Sequence, residues 1–118
     1  MYQNQFIMFK VLIIGAEDMG NYEKFCSKTI YYLKNKKKSE IMIYTLGDNF
    51  IDSFAKANSV DTKFFATDWK TYGKEALKER TTRVLSDCDA IIVFNTKKDT
   101  ELLLKTAQEK KIPIRRVT

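Results

Sequence analysis

The feature that most constrains this sequence is an alternation. Short apolar runs rich in β-branched residues take turns with segments whose apolar residues recur every three to four positions. Phe9-Lys10-Val11-Leu12-Ile13-Ile14, Ile41-Met42-Ile43-Tyr44, Thr62-Lys63-Phe64-Phe65-Ala66, Ala90-Ile91-Ile92-Val93-Phe94 and Ile112-Pro113-Ile114 read as five strands. Apolar runs of this kind mark strands buried on both faces, as in a parallel sheet between helices. Pro113 lacks an amide donor and suits a strand start or a sheet edge.

Helical spacing fills the intervals. Asn21 is placed to cap a helix running to about Lys36, with Phe25, Cys26, Thr29, Ile30 and Leu33 at helical spacing. Asp48 is placed to cap a shorter helix through Ile51, Phe54 and Ala55. A loop from Thr67 to Gly73 leads into a helix with Ala76, Leu77, Arg80, Val84 and Leu85. Asp99 or Thr100 starts the last helix, which carries Leu103, Leu104 and Ala107 on one face. The order βαβαβαβαβ predicts an α/β fold: a single Rossmann-like three-layer domain, with a mostly parallel five-stranded sheet and helices on both faces. One domain is expected over residues 1–118, with residues 1–8 a tail or an extra strand.

Composition narrows the chemistry. Lys+Arg number 21 and Asp+Glu 15, a formal charge of +6, and there is no histidine. Ser-His-Asp and Cys-His arrangements are therefore excluded within the chain, and two cysteines cannot complete a zinc site. No metal site and no cofactor are expected. Cys26 and Cys88 show no metal or redox spacing and read as reduced thiols of a cytoplasmic protein. Cys88 lies between Asp87 and Asp89, which disfavours its thiolate. No apolar run approaches the roughly 20 residues of a membrane span, and the first residues lack signal-peptide features. Neither a membrane partner nor secretion is expected.

In open parallel sheets, ligands bind beyond the carboxyl ends of the strands, where the strand order reverses. That rule singles out Gly15–Met19, Leu46–Asn49, Thr67–Gly73 and Asn95–Thr100. The same segments carry a resemblance. Asp68-Trp69-Lys70-Thr71-Tyr72-Gly73-Lys74-Glu75-Ala76, followed by Arg80, resembles the YspA-type branch of the SLOG superfamily of Rossmann-like domains. Gly47, Asp52 and Ala55, Thr100 and Ile112-Pro113-Ile114 match further motifs of that branch, and the similarity runs from Val11 to Val117. The chain departs from the pattern at Gly15-Ala16-Glu17, where the family has a cation in place of Glu17. It departs again at Leu46–Asp52, which lacks two glycines, and at Thr81 and Asp99. The resemblance implies binding of a nucleotide or an ADP-ribose-type ligand. Relatives in that superfamily cleave the N-glycosidic bond of nucleotides or bind single-stranded DNA. An acidic residue of the cleaving branch falls here at Leu103.

The candidate ligand-binding residues are Gly15, Ala16, Glu17, Gly47, Asp48, Asp52, Asp68, Trp69, Tyr72, Arg80, Asn95 and Thr100. Gly47 either opens a phosphate cradle or forms a plain strand-to-helix turn capped by Asp48. Glu17, Asp48, Asp52 and Asp68 either accept ribose hydroxyls, supply an acid–base pair (Glu17 and Asp68 being the catalytic candidates), or serve as caps and solvated charges. Trp69 and Tyr72 stack on a base or cover the core edge. Arg80 holds a phosphate or pairs with Asp68 or Glu17. Lys34, Lys36, Lys37 and Lys38, with Lys110 and Lys111, lie at helix C-termini on the edge opposite the crevice, as a solvated face or a nucleic-acid surface.

The leading expectation is a non-catalytic binding module for a small nucleotide-derived molecule. The alternatives are a degenerate scaffold that binds a protein partner or nucleic acid, and a nucleotide N-glycosidic hydrolase. A homodimer is compatible with each.

Overall fold

The structure is a computed structural model that describes residues 8–117. The expected tail or extra strand at the N-terminus lies outside the described residues, Met8 apart. Five strands form one sheet: β1 (Phe9–Ile14), β2 (Ile41–Thr45), β3 (Asp61–Phe64), β4 (Ala90–Val93) and β5 (Ile114–Arg116). Their order is β3-β2-β1-β4-β5, and every neighbouring pair is parallel. The order reverses between β1 and β4, which defines the switch point.

The helices are α1 (Tyr22–Leu33), α2 (Asn49–Asn58), α3 (Trp69–Tyr72), α4 (Ala76–Leu85) and α5 (Glu101–Glu109). Strand periodicity splits the core in two. Val11, Ile13, Ile41, Ile43 and Ile92 pack against Phe25 and Leu33 of α1 and Ile51 and Phe54 of α2. Leu12, Ile14, Tyr44, Ile91 and Val93 face the other way, onto Val84 and Leu85 of α4 and Leu103, Leu104 and Ala107 of α5. The runs that carry no polar alternation are thus covered on both sides.

Local chemistry explains the boundaries. Asn21 accepts a hydrogen bond from the Lys24 amide and starts α1. That helix stops at Leu33, short of Lys36, because the lysine run beyond it offers no apolar residue to the core. Ile30 is 53% exposed, so it leaves the expected apolar face, while Phe25, Thr29 and Leu33 are buried. The segment Thr67–Gly73 is not all loop. The Asp68 side chain accepts from the Thr71 amide and caps the single turn of α3. β3 begins and ends earlier than its apolar residues suggest, and pairs through Asp61–Phe64, with the Phe65 amide donating to the Thr45 carbonyl.

Candidate functional site

A cleft of about 90 Å³ opens where the strand order reverses. Its floor is Ile13, Ile14 and Gly15 at the end of β1. Asp18 contributes from the following turn, and Leu46, Gly47 and Asp48 from the turn after β2. Arg80 reaches it from α4, and Lys97, Asp99 and Thr100 from the turn before α5. Whole small ligands generally occupy roughly 300–1,000 Å³. This cleft therefore admits a group of phosphate size, with the remainder of any larger ligand left outside.

Two loops are locked together beneath it. Gly15 has φ +75°, and a side chain there would collide with the Asn95 carbonyl. Asn95 thus meets the site by its backbone, packed on Gly15, and is not among the lining residues. Ala16 is fully buried, and its carbonyl accepts from the Met19 amide. Across the cleft mouth the Lys97 ammonium pairs with Asp18 at 3.2 Å, joining the β1 and β4 loops and raising the Lys97 pKa.

The N-terminus of α2 is closed by the chain's own carboxylates. Asp48 Oδ1 accepts from the amides of Phe50 and Ile51 at 3.0 and 3.3 Å. Its Oδ2 accepts from the Glu17 amide at 3.0 Å, and Glu17 Oε2 accepts in return from the Asn49 amide at 3.1 Å. Asp48 is therefore a cap, and the donors that would cradle a phosphate at Gly47 are already engaged. Gly47 holds φ +102°, which the turn requires. Asp52 is an exposed charge in the first turn of the same helix.

Arg80 stands apart from these satisfied groups. It is 5% exposed, and its Nε is buried with no hydrogen-bond partner among the described residues. The expected pairing with Asp68 or Glu17 does not form. The ion pairs among the described residues are Lys10–Asp87, Arg83–Glu79 and Lys97–Asp18. Burial lowers the Arg80 pKa, Asp99 opposes that shift and Arg83 adds to it. It is Arg83, three residues further on, whose charge reaches Asp68. The side chain of Asp68 is held below the usual carboxylate range chiefly by the Thr71 amide.

The remaining candidates lie elsewhere. Trp69 and Tyr72 are 57% and 44% exposed and do not line the cleft. Tyr72 borders a shallow depression with Asp68, Glu79 and Arg83 on the outer side of α3 and α4. Glu17 and Asp68 sit in separate helix caps, so the structure does not assemble them into an acid–base pair. Thr100 lines the cleft, but its hydroxyl donates to the Lys97 carbonyl and accepts from the Lys97 amide. The Cys88 thiol is pushed up first by burial, then by Asp89 and Asp87. Asp18, Leu46, Lys97 and Asp99 line the site and are not among the candidate ligand-binding residues, although each falls in a segment marked by the switch-point rule.

Comparison with protein-family models, curated proteins and solved structures returned no match to this chain.

Proposed function

We propose that the chain is a non-catalytic binding module for a small nucleotide-derived ligand whose phosphate enters the switch-point cleft against Arg80. The observation that carries this reading is Arg80 at the cleft, 5% exposed and with its Nε buried and unpartnered among the described residues. A charge withdrawn from water without a partner is costly, and an anion accepted there offsets that cost. Arginine presents a planar fork suited to phosphate oxygens. Lys97 is already paired with Asp18, which leaves Arg80 as the anion-binding group and the Asp99 carboxylate among the lining residues to accept a ribose hydroxyl. The nucleotide class rests on the resemblance of the Asp68–Arg80 segment to SLOG domains.

The test is a ligand panel on wild type and Arg80→Gln, read by thermal unfolding and calorimetry. The panel holds nucleoside monophosphates, ADP-ribose and inorganic phosphate. A ligand at ten times its Kd adds about 1.4 kcal/mol to the stability of the wild type, and Arg80→Gln removes that gain. No shift with any member at millimolar concentration rejects the reading.

The alternative, action through the surface on a protein or nucleic acid, draws on the exposed aromatic side chains of Trp69 and Tyr72. Mobility of single- and double-stranded DNA and RNA across a salt series separates it, because phosphate contacts weaken steeply with salt.

A further inference from the structure

Among the described residues the sheet ends in two open strands, β3 and β5, and they differ in what they offer to another molecule. β3 lies outside β2, and its residues Asp61, Thr62, Lys63 and Phe64 are all exposed. β5 lies outside β4 and carries Ile114, Arg115 and Arg116. The Phe65 amide points inward, onto the Thr45 carbonyl. Backbone direction alternates along a strand, so Asp61 and Lys63 also bond inward, while Thr62 and Phe64 direct N–H and C=O away from the sheet. Among the described residues Thr62 thus presents a free donor and a free acceptor at the middle of the edge. Such an edge is a template for another strand.

We propose that β3 pairs with β3 of a second copy of this chain, antiparallel, about a twofold axis at Thr62. In that register the two Thr62 residues exchange both of their outward hydrogen bonds. Asp61 of each copy then faces Lys63 of the other in the close, non-hydrogen-bonded position. Asp61 and Lys63 project from the same sheet face, where the Lys63 ammonium lies 5.1 Å from the centroid of the Phe65 ring. Two opposite-charge pairs are made by one symmetric operation, as an isologous interface demands. The β5 edge lacks this property. The Val117 amide donates to the Val93 carbonyl, so Arg115 bonds inward and Ile114 and Arg116 point outward. Self-pairing centred on Arg115 or Arg116 sets arginine against arginine, and centred on Ile114 it makes no opposite-charge pair. The charges therefore select one edge and one register, and the product is a continuous ten-stranded sheet by this inference. The paired segment is short, so the dimer is weak, with a Kd on the order of 0.1–1 mM. This inference is independent of the ligand reading, since the cleft lies at the strand tips between β1 and β4.

The experiment is sedimentation velocity on the full chain over a concentration series reaching about 1 mM. Asp61→Lys and Lys63→Asp are each expected to weaken self-association by about tenfold or more, because each replaces two attractive pairs with two repulsive ones. An equimolar mixture of the two variants is expected to associate again, since every cross-copy pair is then attractive. The double variant D61K/K63D is expected to recover homodimerisation. Both residues are exposed, and circular dichroism melts establish that each variant is folded. A wild type that stays monomeric at the highest concentration overturns the proposal. A dimer that survives either single variant, or a mixture that fails to associate, also overturns it and places any contact on another surface.

Discussion

Replacing Arg80 with methionine is expected to make the ligand-free chain more stable. The arginine is 5% exposed, forms no ion pair among the described residues and leaves its Nε unpartnered. Asp99 supplies attraction from a distance, and Arg83 supplies repulsion. Desolvating an ion costs several kcal/mol even after relaxation, and replacing buried ionic groups with apolar ones of similar volume commonly gains about 1–4 kcal/mol. Arg80 lines an open cleft, which restores part of its hydration, so the low end of that range applies, about 1–2 kcal/mol. A domain of this size gains roughly 4 °C in Tm per kcal/mol, giving an increase of about 4–8 °C. Urea unfolding measures it directly: the midpoint rises while the slope stays the same, because the surface exposed on unfolding is nearly unchanged. Added inorganic phosphate should then stabilise the wild type and leave the variant unmoved. If Arg80→Met instead lowers stability by about 1 kcal/mol or more, the guanidinium is satisfied inside the folded chain, and the argument for an anion at the cleft fails.

The two loops over the switch point allow a paired comparison. Gly20→Ala meets nothing within 4 Å at φ +80° and should cost only the left-handed conformation, about 1 kcal/mol. Gly15→Ala drives a methyl into the Asn95 carbonyl and should cost about 3 kcal/mol or more; equal losses in urea titrations would mean that these loops are not in contact. Thr29 is fully buried with its hydroxyl unpartnered among the described residues, so Thr29→Val should gain about 1 kcal/mol in the same assay. Asp87 is held below the ordinary carboxylate range chiefly by its hydrogen bond from Lys10, with Tyr44 donating a weaker one. Its contribution to stability is therefore complete above the ordinary carboxylate range and disappears as pH falls through the lower folded value. Asp87→Asn should flatten the decline of Tm between about pH 5 and pH 2; an unchanged profile would show that other carboxylates govern acid unfolding.

Much of this molecule is local, and what is local can be read along the chain. The strand runs at Phe9–Ile14 and Ala90–Val93 and the caps at Asn21 and Asp48 follow from spacing and from side chains that reach only one turn ahead. The single turn capped by Asp68 is local too, but a four-residue turn is too short to show helical periodicity, and Thr67–Gly73 reads as a loop. Periodicity also implies the parallel sheet, because unalternating apolar runs need cover on both faces. What it does not carry is which loop meets which. The strand order sets Asp18 against Lys97, seats Asn95 on Gly15 and turns the α2 amides toward Glu17. The same order leaves Trp69 and Tyr72 away from the cleft and brings Arg80 to it with its Nε unpartnered among the described residues. Those contacts join residues about 30 to 80 positions apart in the chain. Their energies depend on distance and dielectric, which exist only once the chain has folded. Local spacing fixes the layers of the fold; the strand order, which brings distant loops together, fixes that Arg80 lies buried at the cleft with its Nε unpartnered among the described residues.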